Sequence, residues 1–298
     1  MIITNKYNLP KALVDTIKNN QFAPTEKHYS VTTILSPTRS VLLTRRYFNE
    51  IEVDASRCIN QLLGTATHSI IEKFDKTGFA EIYLKEEIFD GYYLTGKCDL
   101  YDEENFCLVD YKTATVWKIK FSDFEDWKKQ GLMYAWLLRK KGKFVDKLKF
   151  YGLLKDWTAR EKRLADLKGD FYPETQVYEW CYEISENDMI EIENFIKERF
   201  TELIENETIS DNDLPDCGQI DTWYTGDKYA VYKSETAVKA ARVLDSEQEA
   251  KDYIENKLNG IGIIRFRQGE YRKCQDYCDC CKYCKYYEER KPNKGDDE

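Results

Sequence analysis

At 298 residues, 42% of them hydrophobic and 14% aromatic, the chain is long enough for one large core or two modest ones. Its 33% charged residues, with only 6 prolines and 14 glycines, exclude extensive disorder. The net charge of −9 argues against a uniformly basic, nucleic-acid-coating protein, yet the charge is segregated along the chain. Residues 112–163 hold 15 Lys or Arg against 6 acids, whereas residues 182–216 hold 12 acids against Lys197 and Arg199.

No run approaches the roughly 20 apolar residues of a membrane helix, and MIITNKYNLP lacks a signal peptide's pattern, so a cytoplasmic protein without membrane contact is expected. There the ten cysteines should be reduced, and a dense group of them reads as metal ligation before disulfides.

In chain order, residues 10–20 predict a helix, and Ser36-Pro37 places a cap and a first-turn proline at the start of a second. Residues 54–76 continue the helical pattern. From Ala80 to Thr113 the β-branched and aromatic residues, broken at Asp90-Gly91 and at 102–105, predict three antiparallel strands joined by hairpins. Ser122 is expected to cap a helix ending at Gly142. Residues 147–157 and 176–184 read as strands, and Ser185 with Asp188 as a capping box opening a long acidic helix to about Asn206. After Pro215 and Gly218, YAVYK, KAARVLD and SEQEAKDYIENKL suggest a small ββα-like unit, followed by the strand IGIIRFR and the cysteines. The expected division is 1–214, 215–290 and a disordered tail over 291–298.

The segment GKCDLYDEENFCLVDYKTA carries the chemistry. A turn centred on Glu104-Asn105 places Asp99 opposite Asp110, where like charges roughly 5 Å apart destabilise a sheet unless a cation neutralises them. Strand alternation sends Lys112 to the face of Asp110 and Tyr111 to the other. Two carboxylates and an ammonium around one point suit hard Mg²⁺ or Mn²⁺ and phosphodiester hydrolysis. Ordinary surface ion pairs on an exposed hairpin are the alternative. On the preceding helix Gly64, His68 and Glu72 share a face, the glycine read as allowing close approach, and Gln130 and Tyr134 repeat that spacing later. Taken singly, His68 reads as a core or capping histidine and Tyr134 as a half-buried tyrosine.

In this order, GxxxH on a helix, Asp on a strand, Asp-x-Lys on its neighbour and QxxxY on the next helix, the chain resembles the RecB-like branch of the PD-(D/E)XK nuclease superfamily over about residues 31–206. The wider layout is similar to stand-alone nucleases of tailed phages, related to CRISPR-associated adaptation exonucleases. The resemblance implies an α/β, restriction-endonuclease-like core, a mixed central sheet flanked by helices. It also implies metal ligation by His68, Asp99 and Asp110 with the Tyr111 carbonyl, catalysis by Lys112, and Gln130 and Tyr134 orienting their helix and contacting DNA. The activity implied is a DNA exonuclease acting in recombination, repair or replication and leaving 5′-phosphates, with recombination or replication proteins as candidate partners. A catalytically silent DNA-binding or adaptor protein is the alternative. Cys98 stands where a proline or apolar residue is usual, and the second acid is Asp110 rather than Glu; neither removes a ligand.

Five cysteines fall between 274 and 284, too dense for chance in a reducing compartment. Thiolates suit either Zn²⁺ or an iron-sulfur cluster, and spacing does not separate them. The resemblance favours a 4Fe-4S cluster on Cys274, Cys278 and Cys284 with Cys217 as fourth ligand, in a small Cys-rich, metal-binding C-terminal appendage; Cys58, Cys280 and Cys281 are rivals for that place. Cys98, Cys107 and Cys181 are expected to pack in strands. Finally, Lys118, Lys120, Lys128, Lys129, Arg139, Lys140, Lys141 and Lys143, interleaved with Trp117, Phe121, Trp127 and Trp136, read either as the path of a DNA strand or as a solvated helix face over core tryptophans.

Overall fold

The computed structural model describes residues 1–74 and 80–291. The end of the helix expected to reach 76 and the tail expected from 291 therefore lie, beyond Phe74 and Lys291, outside the described residues. In chain order the elements are β1 (Ile2–Thr4), α1 (Lys11–Asn19), β2 (His28–Ser30), α2 (Val31–Ile34), α3 (Thr38–Arg46), β3 (Glu52–Asp54), α4 (Ile59–Phe74), β4 (Ala80–Phe89), β5 (Tyr92–Asp102) and β6 (Cys107–Ala114). Next come α5 (Val116–Phe121), α6 (Glu125–Lys140), β7 (Lys147–Leu154), α7 (Ala159–Lys168), β8 (Val177–Glu183) and α8 (Glu186–Asn206). The chain closes with α9 (Gln219–Thr222), β9 (Lys228–Tyr232), β10 (Arg242–Leu244), α10 (Glu247–Leu258), β11 (Ile263–Arg267), α11 (Arg272–Asp276) and α12 (Lys285–Glu288).

Two compact units result: Met1–Ser36 with Phe48–Glu207, and Pro37–Tyr47 with Thr208–Glu298. The sequence suggested a boundary at 214/215; the structure divides at 207/208 and adds residues 37–47 to the second unit. Arg39 is the physical reason. Its buried guanidinium donates from Nε to the Pro215 carbonyl (3.1 Å), from Nη1 to the Asp211 carbonyl (3.1 Å) and from Nη2 to the Leu214 carbonyl, which ties α3 to the loop entering the cysteine region. No pattern in the sequence announces that contact.

The first unit is built on a mixed six-stranded sheet, β2-β5-β6-β7-β8 with β4 on β5. The expected antiparallel β4, β5 and β6 are present, and β6 then runs parallel to β7. Helix α6 buries Trp127, Leu132, Met133, Tyr134, Trp136 and Leu137. Trp127 stacks on Phe150 at 5.5 Å, and burying an aromatic of this size contributes about 2–3 kcal/mol. Close approach is allowed by Gly131, where a Cβ would meet Leu148 Cδ1 at 2.8 Å and Phe150 Cζ at 3.0 Å.

Three local expectations shift. Pro37 is the N-cap of α3 rather than its first helical residue. Ser122 closes α5, a short helix capped by Thr115, while α6 starts at Glu125 after Phe124 in the left-handed region. Helix α7, capped by Thr158 and stopped by Gly169, is additional. Helix α8 keeps its capping box of Ser185 and Asp188.

Segregated charge along the chain becomes neutralised charge in space. Lys128 pairs with Asp188 (3.3 Å), Arg139 with Glu186 (2.9 Å), Lys140 with Glu193 (3.3 Å), Lys141 with Glu86 (2.9 Å) and Lys143 with Glu103 (3.2 Å). Trp127 and Trp136 are only 5% and 6% exposed, and Trp136 Nε1 donates to Glu193. Most cations of the basic stretch around α6 are therefore packed on acidic partners, with Lys129 over the Phe195 ring.

In the second unit a three-stranded antiparallel sheet, β10-β9-β11, packs Val231 against Ala250 and Ile254 of α10. Ser246 and Glu249 form the capping box that starts this helix.

Candidate active site

Strands β5 and β6 pair only over Leu100↔Val109, Tyr101↔Leu108 and Asp102↔Cys107, around the turn expected at Glu104-Asn105. Extending that register by one residue sets Asp99 opposite Asp110. At this point the strands part, for β6 continues to Ala114 paired with β7 alone. The Tyr111 amide, released from the β5 ladder, donates instead to Asp99 Oδ2 at 2.8 Å. The two acids thus mark the opening of a cleft rather than a flat cross-strand pair.

Helix α4 crosses this opening with one face inward. At its start Asn60 Oδ1 accepts from Lys155 Nζ (2.8 Å), a Cβ on Gly64 would lie 3.6 Å from Thr113 Oγ1, and His68 Nδ1 lies 3.0 Å from Asp99 Oδ1. The i, i+4 spacing of 60, 64 and 68 takes the helix past β7, β6 and β5 in turn. At 3.6 Å an added methyl group makes ordinary contact, so Gly64 is not required by space. The tight glycine is Gly96 on β5, where a Cβ would sit 2.5 Å from Tyr134 Cε1. Sequence reading missed it because its partner lies on another element. Tyr134 is buried there with Gln130 in hydrogen-bonding reach, so it meets the site through its neighbours rather than by facing solvent.

Asp110 is 3% exposed, and its Oδ2 has no hydrogen-bond partner of good geometry, although Lys112 Nζ stands 2.5 Å away. Burial pushes the Asp110 carboxyl up to about 6, opposed by Lys112 and reinforced by Asp99. The bond to Asp99 raises His68 above the usual imidazole range against partial burial. Nearby, His68, Ile71, Phe74, Asp99 and Tyr111 line a cleft of about 380 Å³. The Tyr111 ring stacks on Tyr151 at 5.8 Å.

A buried carboxylate oxygen short of a donor, a second acid within electrostatic reach and an imidazole are the donor types a hard divalent cation takes. They fit Mg²⁺ or Mn²⁺ in kind. Each is turned to a protein partner, and among the described residues no three His, Cys, Asp or Glu side chains stand in metal-holding geometry.

In the second unit, Cys217, Cys274, Cys278, Cys280, Cys281 and Cys284 line one small pocket with Arg39, Leu43 and Tyr286. Burial pushes Cys217 and Cys274 up to about 12. Cys278 is lowered to about 7 by its contact with Cys280, Sγ to Sγ 3.5 Å. Among the described residues no two cysteines are joined in a disulfide. Cys58 lies in the first unit, at the end of a 3₁₀ turn. Cys98 and Cys107 are buried in β5 and β6, whereas Cys181 is exposed on β8.

Among the described residues no helix is long and apolar enough to cross a membrane. No protein-family model matches the chain, and no curated protein matches it. Structural similarity is found to SSO0001 (17% identity over 63% of this chain and 83% of that one, TM-score 0.45). It is also found to an alkaline exonuclease of Laribacter hongkongensis (13% identity, 61% and 90%, TM-score 0.38) and a phage-related exonuclease of Haemophilus somnus (12% identity, 66% and 82%, TM-score 0.28).

Proposed function

We propose that the chain is a metal-dependent deoxyribonuclease, an exonuclease by its resemblance, whose centre is His68, Asp99, Asp110 and Lys112. The observation that carries this reading is the buried Asp110 Oδ2, without a well-formed hydrogen bond and beside Lys112 where two strands separate. His68, Asp99, Asp110 and the Tyr111 carbonyl would hold Mg²⁺ or Mn²⁺, which when bound supplies Lewis acidity toward a phosphate oxygen and an acidified water. Lys112 then offsets negative charge gathering on the phosphate, in a setting whose low polarity strengthens that attraction. The Tyr111 amide holds Asp99 in place, and Gln130 with Tyr134 steadies α6 behind Asp110. Water oxygen joins phosphorus, the bond to the 3′ oxygen breaks, and that oxygen takes a proton, leaving a 5′-phosphate.

The test is incubation of end-labelled linear DNA with the protein and Mg²⁺ or Mn²⁺, beside Asp110→Ala and Lys112→Ala. Loss of cleavage in both variants is expected; cleavage equal to the parent's in both rejects the assignment.

The same reading gives the thiol pocket to a 4Fe-4S cluster on Cys217, Cys274, Cys278 and Cys284, with Zn²⁺ as the competitor. What supports a soft-metal site is six cysteine side chains around one small pocket of the second unit. An absorption band near roughly 400 nm that Cys278→Ser abolishes favours iron-sulfur, whereas a colourless protein with stoichiometric zinc rejects it.

A further inference from the structure

Five residues beyond Lys112, helix α5 turns two large aromatic side chains outward. Trp117 is 68% exposed and Phe121 65%, with ring centroids 5.2 Å apart. The opposite face of the helix is anchored: Val116 and Ile119 are buried, the Val116 amide donates to Asp156 Oδ1 (2.8 Å), and Thr115 caps the first turn. Two neighbouring aromatics left in water on a firmly held helix are a standing cost that core packing does not explain.

The surrounding charges identify an occupant. On α6, Lys128 and Lys140 are tied to carboxylates and Lys129 lies over the Phe195 ring. Around α5, Lys118 is paired with Asp126 (2.7 Å), but Lys120, Lys155 and Arg160 make no ion pair among the described residues, and the Lys155 ammonium bonds the Asn60 amide oxygen. Lys155 directly follows β7, which runs parallel to β6, so Lys155 and Lys112 stand toward the same ends of two adjacent strands. Cations following a chain of phosphates beside aromatic faces are the elements of a single-strand binding surface. The reach is right. Five residues span at most about 18 Å, so Trp117 lies within a few nucleotides of a phosphate held at Lys112.

We propose that Trp117 and Phe121 form a stacking platform for unpaired bases of the DNA strand whose phosphate lies at Lys112. The proposal rests on the nuclease reading and adds its substrate class. Bases inside a duplex are stacked on one another, so the platform selects single-stranded DNA or a frayed end.

The experiment measures binding of a fluorescein-labelled oligothymidylate and of a blunt hairpin duplex by anisotropy, in EDTA so that nothing is cleaved. The parent is compared with Trp117→Ala, Phe121→Ala and Trp117→Phe. Single-strand affinity should fall roughly tenfold in Trp117→Ala, less in Phe121→Ala, and stay near the parent's in Trp117→Phe, with the duplex affected less than twofold. Unchanged single-strand affinity in Trp117→Ala, or equal loss for strand and duplex, overturns the platform and leaves the pair to a protein partner. Because the assay needs no cleavage, the two readings fail separately. An inactive parent whose strand binding depends on Trp117 rejects the nuclease alone, whereas an active parent with Trp117-independent binding rejects the platform alone.

Discussion

The carboxylate centre of the first unit and the thiol pocket of the second both crowd ionisable groups away from water, and they resolve the crowding in opposite ways. At the first, a cation is built in, since Lys112 stands against Asp110, and the His68 imidazole stands against Asp99. At the second, neutrality comes mostly from protons, since burial holds Cys217 and Cys274 near 12, with Cys278 lowered to about 7, while Arg39 spends its donors on backbone carbonyls and Asp216. A site with built-in countercharge is poised to work ionised near neutral pH. A site kept neutral by protons must release them to take a metal, so binding there ties to pH and to folding.

Four changes break or sharpen that contrast. The largest effect is expected from Asp110→Ala, which should lower DNA cleavage by about three orders of magnitude while leaving the protein folded, read from initial rates beside far-UV circular dichroism. A variant within threefold of the parent would detach the buried acid from the chemistry. Next, anaerobic metal uptake by the thiol pocket should release protons and weaken by tenfold or more per pH unit as pH falls below 7, whereas mutation of Asp110 leaves that uptake unchanged. Competition with a coloured chelator reads it, and a flat pH profile would place the metal elsewhere.

Third in size is the stability of the metal-free protein. The folded Asp110 carboxyl titrates near 6, above its value near 4 in an unfolded chain. The folded state therefore binds the extra proton between pH 4 and 6, and this group's contribution to stability falls as pH rises through that window, remaining unfavourable at pH 7. Asp110→Asn should recover about 1–3 kcal/mol at pH 7 in EDTA and nothing near pH 4, as urea unfolding at both pH values would reveal. An equal effect at both would show that Lys112 already cancels the cost of burial. The smallest effect is expected at Lys140, whose partner Glu193 also binds Trp136. Lys140→Ala should change single-strand DNA affinity less than twofold, and a tenfold loss would return α6 to the DNA path.

Much of the fold was legible in local text. The hairpin turn at 104–105, the capping box at Ser185 and the antiparallel trio β4, β5 and β6 follow from turn chemistry and strand alternation, which act over a few residues. The opposition of Asp99 and Asp110 followed from counting outward from that turn. Ser122 misled because a serine before an acidic, apolar run resembles a cap whether it begins one helix or ends another. Helix α7 escaped notice because its surface is almost wholly polar; Ala165 is its one buried residue.

The sequence by itself determined which side chains can hold a cation or carry a thiolate, and the spacing that puts Gly64, His68 and Glu72 on one helical face, because those properties are covalent or local. Only the tertiary structure decided that β5 and β6 part at the two acids, that Gly96 rather than Gly64 is the close contact, and that Lys128 and Lys140 of α6 are neutralised while Trp117 and Phe121 stay exposed. Burial and charge pairing are properties of neighbours from elsewhere in the chain, and a linear text does not name its neighbours.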